Sequence, residues 1–124
     1  MSTEFFAPGP EIPVIDESRL ISEFGEDAEI LAELRDLFLQ HVPPLYNSIL
    51  EAVANGDALK LAQDAHSLKG ACATFGAPRL AMVCQEFEKF GKAEDTETAL
   101  GNLALLTEEY ESVFSSIGSV GAIK

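Results

Sequence analysis

Apolar residues recur at helical spacing along most of this chain. Leu61, Ala65, Leu68, Cys72 and Phe75 follow one another at steps of four and three, which is one buried stripe of an α-helix. Before it, residues 1–15 contain Pro8, Gly9, Pro10 and Pro13 without a sustained period and are read as an N-terminal tail or extended lead-in. Asp16 is a cap for a short helix that reaches about Phe24 and ends at Gly25, and Asp27 starts the next helix. The stripe Leu31, Leu34, Phe38, Val42, Leu45 and Ile49 runs past Pro43-Pro44, where the missing backbone donors predict a break, a kink, or a new helix after His41. Asn55-Gly56-Asp57 stops one helix and caps the following one. Phe75-Gly76-Ala77-Pro78 repeats that logic, with Pro78 suited to a first helical turn. Leu80, Val83 or Cys84, Phe87 and Phe90 carry the apolar face on to Gly91. A polar link from Lys92 to Thr98 then leads to Leu103, Leu106, Tyr110, Val113 and Ile117, with Gly118 beyond the last helix. No strand pattern and no internal repeat competes. The predicted fold is all-α, an antiparallel four-helix bundle with an extra short N-terminal helix over residues 16–118, followed by a C-terminal tail at 119–124.

The apolar stripe around Ala65 puts His66 off the core. Its own stripe is Ala62, His66, Lys69, Gly70 and Ala73, so the imidazole is surrounded by small residues and one cation. Glycine in a helix interior costs about 1 kcal/mol relative to alanine. Carrying that cost one turn beyond an exposed histidine suggests a surface shaped for close approach by something large. The turn at Gly76–Pro78 adds a geometric inference, because residues equidistant from an antiparallel turn lie at similar heights. His66 and Glu88 are each eleven residues from Ala77, so Glu88 is expected beside the ring. A carboxylate there can accept the Nδ1 proton and leave Nε2 outward as the nucleophile. Cys72 and Cys84, each six residues from Pro78, are expected near one another in the core as reduced thiols.

Composition narrows the function classes. A chain of 124 residues makes one domain with its own core, and the net charge of −13 argues against nucleic acid and anionic membrane surfaces as partners. No apolar run is long enough to span a membrane, and the acidic N-terminus lacks a signal-peptide pattern, so a cytoplasmic location is expected. The basic residues are unevenly placed: from Lys60 to Lys92 there are five against three acidic ones, leaving three against eighteen elsewhere. An acidic protein with most of its cations on the histidine-bearing hairpin is read as offering that face to an anion or to a partner's acidic site.

The segment Ala65-His66-Ser67-Leu68-Lys69-Gly70-Ala71-Cys72-Ala73-Thr74-Phe75-Gly76-Ala77 resembles the signature of histidine-containing phosphotransfer (HPt) domains. The resemblance extends through Asn55-Gly56-Asp57, Arg79-Leu80 and Val83 to Glu88, and its helix layout covers roughly residues 16–118. It implies a phosphorelay intermediate in which His66 takes a phosphoryl group from a receiver-domain aspartate and passes it to another receiver aspartate. By the same resemblance, Lys69 lies near the phosphoryl group, Gly70 keeps the approach open, and Glu88 falls where family members carry a glutamate or glutamine. The implied partners are receiver domains of response regulators or hybrid kinases; the chain is expected to be a monomer and to meet them around Ala62, Ala73 and Gln85, the last read either as part of that surface or as solvated. Mg²⁺ is expected from the receiver, with no cofactor or metal bound by this chain. No autokinase activity is expected, since no GxxxxGK[ST] phosphate loop is present.

Two other function classes fit these residues less well. A docking-only module with the same fold would be expected to have lost His66, Lys69 or Gly70, and all three are intact. A metal or redox site joining His66 to the cysteines conflicts with the stripes, because Cys72 lies on the inward one. His41, beside Val42-Pro43-Pro44, is read as an ordinary solvated side chain.

Overall fold

A computed structural model describes residues 7–117 and, among them, six helices and no strand. They are α1 (Glu17–Phe24), α2 (Ala28–Ala54), α3 (Ala58–Phe75), α4 (Pro78–Lys92), α5 (Thr96–Gly101) and α6 (Leu103–Ser116). The four longer ones, α2, α3, α4 and α6, form the bundle, and α1 and α5 are short additions. Caps are set where the sequence provides acceptors. Asp16, Asp27, Asp57 and Asp95 each accept backbone N–H groups in the first turn of α1, α2, α3 and α5. Gly76 ends α3 in the left-handed conformation at φ 91°, and its carbonyl accepts the Asp16 N–H at 2.8 Å, so α1 begins against the α3–α4 turn. Gly118 and the tail at 119–124 lie outside the described residues, as do residues 1–6.

The core consists of the predicted stripes facing one another. Leu61, Ala65, Leu68, Cys72 and Phe75 of α3 are all buried, as are Leu80, Val83, Cys84, Phe87 and Phe90 of α4. α3 and α4 touch at backbone level at Gly91, where an added Cβ would stand 2.5 Å from the Ala62 backbone nitrogen and 2.8 Å from the Ala58 carbonyl oxygen. The C-terminal end of α4 therefore lies against the first turns of α3, and the pair is antiparallel. Ser48 of α2 hydrogen-bonds Asp64 of α3, and the Phe38 ring packs 4.5 Å from that of Phe75. Tyr46 stacks on Tyr110 at 3.7 Å and also hydrogen-bonds Thr107 at 2.7 Å, joining α2 to α6 through large side chains.

Two local expectations need correction. α2 is one helix of 27 residues running through Pro43 and Pro44, so neither a break nor a new helix after His41 occurs. Two interior prolines each carry a penalty of about 3 kcal/mol. Buried contacts on both sides offset it, with Phe38 and Val42 before the prolines and Tyr46, Ile49 and Val53 after them. The supposed polar link at Lys92 to Thr98 starts the short helix α5, nucleated by Asp95, which accepts from both the backbone and the hydroxyl of Thr98. Residues 7–15, the described part of the N-terminal stretch, run as an extended lead-in docked on the bundle: Pro8 is buried, Val14 and Ile15 pack on the core, and Arg79 donates to the carbonyls of Pro8, Gly9 and Ile12.

Candidate functional site

The middle of α3 carries His66 on its outward face, with the side chain 67% exposed. Opposite it on α4 stands Glu88, whose side chain is only 9% exposed. His66 Nδ1 lies 3.1 Å from Glu88 Oε2, the pairing expected from equal distances to the turn. Two ammonium groups also reach this carboxylate, Lys69 donating to Oε1 at 2.8 Å and Lys92 pairing with Oε2 at 3.0 Å. A buried carboxylate needs such partners to remain charged. The Lys69 hydrogen bond foremost, with those from Lys92 and His66, outweighs desolvation and lowers the Glu88 carboxyl to a pKa of about 2.

That charge state determines the tautomer of the ring. An ionised carboxylate only accepts hydrogen bonds, so the proton in the His66–Glu88 contact belongs to Nδ1. In the neutral ring Nε2 then keeps its lone pair and is the nitrogen not engaged by Glu88. The site is thus an oriented imidazole on an exposed helix face, with two cations within one carboxylate's reach. Among the described residues, no cluster of three His, Cys, Asp or Glu side chains is placed to hold a metal ion.

The surroundings of His66 differ from side to side. A Cβ built on Gly70 meets nothing within 4 Å, so this glycine serves no helix packing and leaves space open one turn from the histidine. Beside it, α2 and α3 enclose an apolar groove of about 280 Å³ lined by Leu34, Leu37, Phe38, His41, Gly70 and Phe75. His41 is exposed, as read from the sequence, and borders that groove. Ala73 and Gln85 are exposed, whereas Ala62 is half-buried because Gly91 brings α4 against its backbone. Ala73 also borders a second groove, of about 330 Å³, between α1 and the α3–α4 turn. Cys72 and Cys84 are buried free thiols; burial, then the hydrogen bond between them, pushes the Cys84 thiol up, as suits an apolar core.

The hairpin cations do not form one anion-facing surface. Arg79 makes a two-pronged ion pair with buried Glu109 of α6, its Nε and Nη2 each 2.9 Å from a carboxylate oxygen. Lys60 pairs with Glu51 and Lys89 with Glu86, leaving Lys69 and Lys92 as the cations gathered on Glu88. Lys92 had no role in the sequence reading beyond its charge. The signal for it was the spacing Glu88–Lys92, an i,i+4 pair on α4.

A helical bundle that presents an imidazole braced from a neighbouring helix is an all-α, histidine-bearing module. More specifically, the chain is a member of the Hpt domain family, whose model matches residues 33–116. It is also 33% identical over 79 residues to the Sensor protein TorS of Escherichia coli (strain K12). That alignment takes in 60% of this chain and 9% of the relative, so the chain spans a small fraction of that protein's length. No solved structure matches the chain. Among the described residues, no helix is long and apolar enough to cross a membrane.

Proposed function

We propose that this chain is the histidine phosphotransfer intermediate of a multistep phosphorelay, accepting a phosphoryl group on His66 from one receiver-domain aspartate and delivering it to another. The observation that carries the reading is the contact between His66 Nδ1 and ionised Glu88, which in the neutral ring puts the lone pair on Nε2, the nitrogen that Glu88 does not engage. In the accepting step the Nε2 lone pair attacks phosphorus while the bond from phosphorus to the aspartyl oxygen breaks, its electron pair leaving with the carboxylate. The ring becomes a phosphorylated imidazolium with its proton still on Nδ1, and Glu88 stabilises the new positive charge. In the delivering step an acceptor carboxylate attacks phosphorus, the N–P bond breaks, and its electron pair returns to Nε2. No proton need be exchanged, so the ring is a nucleophile in one direction and a good leaving group in the other.

Phosphoryl transfer of this kind depends on in-line positioning and on neutralising the equatorial oxygens. Lys69 supplies a cation from this side, and Mg²⁺ brought by the receiver is proposed to supply the rest. Open space over Gly70, the apolar groove beside it and the exposed faces of Ala73 and Gln85 support docking of the receiver across α2, α3 and α4, with the half-buried Ala62 at its edge. The test is acceptance of labelled phosphate from a phosphorylated receiver with Mg²⁺. An acid-labile, base-stable label that disappears in His66→Gln is the expected result. A folded wild-type bundle that binds receivers yet never takes label would make the chain a docking module instead.

A further inference from the structure

Glu88 has more cations than one histidine brace requires. Lys69 donates to Oε1, while Lys92 and His66 Nδ1 share Oε2, at 3.0 and 3.1 Å. The two lysines come from different helices. Lys69 projects from α3, one turn from His66, whereas Lys92 follows Glu88 by one turn on α4 and reaches it within the same helix. Their situations during transfer also differ. The phosphoryl group is attached at Nε2, and Glu88 is engaged at Nδ1 on the other edge of the ring. A phosphoryl group at Nε2 competes with Glu88 for the Lys69 ammonium, which donates to Oε1 at 2.8 Å. Departure of that ammonium strips Oε1 of its partner in a site where the carboxylate is nearly out of water.

We propose that Lys92 is a positioning residue: it stays on Glu88 when Lys69 moves to the phosphoryl group, and it keeps the carboxylate aimed at His66 Nδ1 throughout transfer. This inference rests on the phosphotransfer reading for its purpose, but its structural content is independent of it. With Lys92 in place, Glu88 retains one counter-charge after Lys69 has moved, and the imidazolium that forms faces a carboxylate already held in register. Without Lys92, the carboxylate keeps Lys69 for itself or turns away from the ring. The groups that face Glu88 are Lys69 and His66 from α3 and Lys92 from α4, so the exchange involves side chains of one hairpin.

Replacing Lys69 imitates its departure without any phosphate. In Lys69→Met, ¹⁵N NMR of the His66 ring in the unphosphorylated protein is expected to show the Nδ1–H tautomer of the wild type, because Lys92 remains on Glu88. In the double variant Lys69→Met/Lys92→Met that tautomer is expected to give way to a mixture, and Lys69→Met/Lys92→Arg is expected to restore it. Lys92 is 70% exposed and both lysines project outward, so helicity by circular dichroism is expected to stay unchanged. Loss of the Nδ1–H tautomer in Lys69→Met alone, or its persistence in the Met/Met double variant, would overturn the proposal. In transfer, Lys92→Met is expected to slow acceptance about five-fold, the loss of one net hydrogen bond. Lys92→Met in a Glu88→Gln background is expected to add nothing; a further slowing there would show that Lys92 acts elsewhere than through Glu88 and would equally overturn it. If wild type accepts no phosphate while the tautomer series behaves as expected, the phosphotransfer reading fails and the brace stands.

Discussion

At the scale of residues, the behaviour of the site follows from one buried carboxylate. Glu88 carries its charge because Lys69, Lys92 and His66 donate to it, and the same charge decides which nitrogen of His66 is free. A carboxyl whose folded pKa is about 2, below the ordinary 4.5, contributes stability that is complete above about pH 4.5 and is lost as pH falls through 2. Glu88→Gln keeps an acceptor for the ring but has no charge to lose. Urea midpoints at pH 5 and 2.5 are therefore expected to fall further for wild type than for the variant, and equal falls would contradict the assignment. Gly70 allows a different separation. Its missing side chain costs the helix about 1 kcal/mol, which Gly70→Ala is expected to recover, since a Cβ there meets nothing within 4 Å. Gly70→Gln should also fold, yet slow phosphoryl acceptance on the order of a hundredfold by holding the receiver off the in-line position. Normal transfer rates in that variant would refute the access role.

At the scale of elements, the α3–α4 hairpin is what makes a two-residue site from positions far apart in the chain. Its geometry was readable from the sequence because the turn, the glycine exit and two apolar stripes fixed a common register, and both His66–Glu88 and Cys72–Cys84 follow from counting outward. Gly91 maintains that register by letting the helices touch at backbone level. Gly91→Ala places a methyl group against the Ala62 nitrogen and is expected to destabilise the bundle by about 2 kcal/mol in urea unfolding, although alanine is the better helix former. Phosphoryl acceptance should fall with it, because Glu88 lies one turn away on the same helix; an unchanged midpoint would mean that the close approach is not needed. Other elements were not legible, for physical reasons. The prolines of α2 are tolerated through burial on both sides, which local propensity does not encode. α5 has six residues with Ala99 alone buried, too few for a period to appear. Lys92 gains meaning from the burial of Glu88, and an i,i+4 pair on a surface helix would otherwise pass as ordinary.

At the scale of the whole molecule, opposite ends of the hairpin do different work. Near the α3–α4 turn, Arg79 spans α4, α6 and the segment leading into α1, bonding Glu109 and the carbonyls of Pro8, Gly9 and Ile12. A count of charges along the chain placed this guanidinium with the anion-facing set, because a count carries no information about which way a side chain turns. Removing one member of a buried ion pair leaves the other uncompensated, at a cost of about 3 kcal/mol. Arg79→Met is expected to lower the urea midpoint accordingly and to speed amide exchange at Ile12, whose N–H bonds the Gly9 carbonyl, with phosphoryl acceptance unchanged. Loss of acceptance in a folded Arg79→Met protein would place the arginine in the docking surface after all. The surplus of acidic residues lies largely outside the hairpin, where it repels other polyanions. The central claim concerns a single nitrogen atom. We would phosphorylate ¹⁵N-labelled protein from a receiver with Mg²⁺ and observe the His66 ring by NMR. Phosphorus coupled to Nε2, with the proton retained on Nδ1, is the predicted result; phosphorus on Nδ1, or on any residue other than His66, would contradict the account.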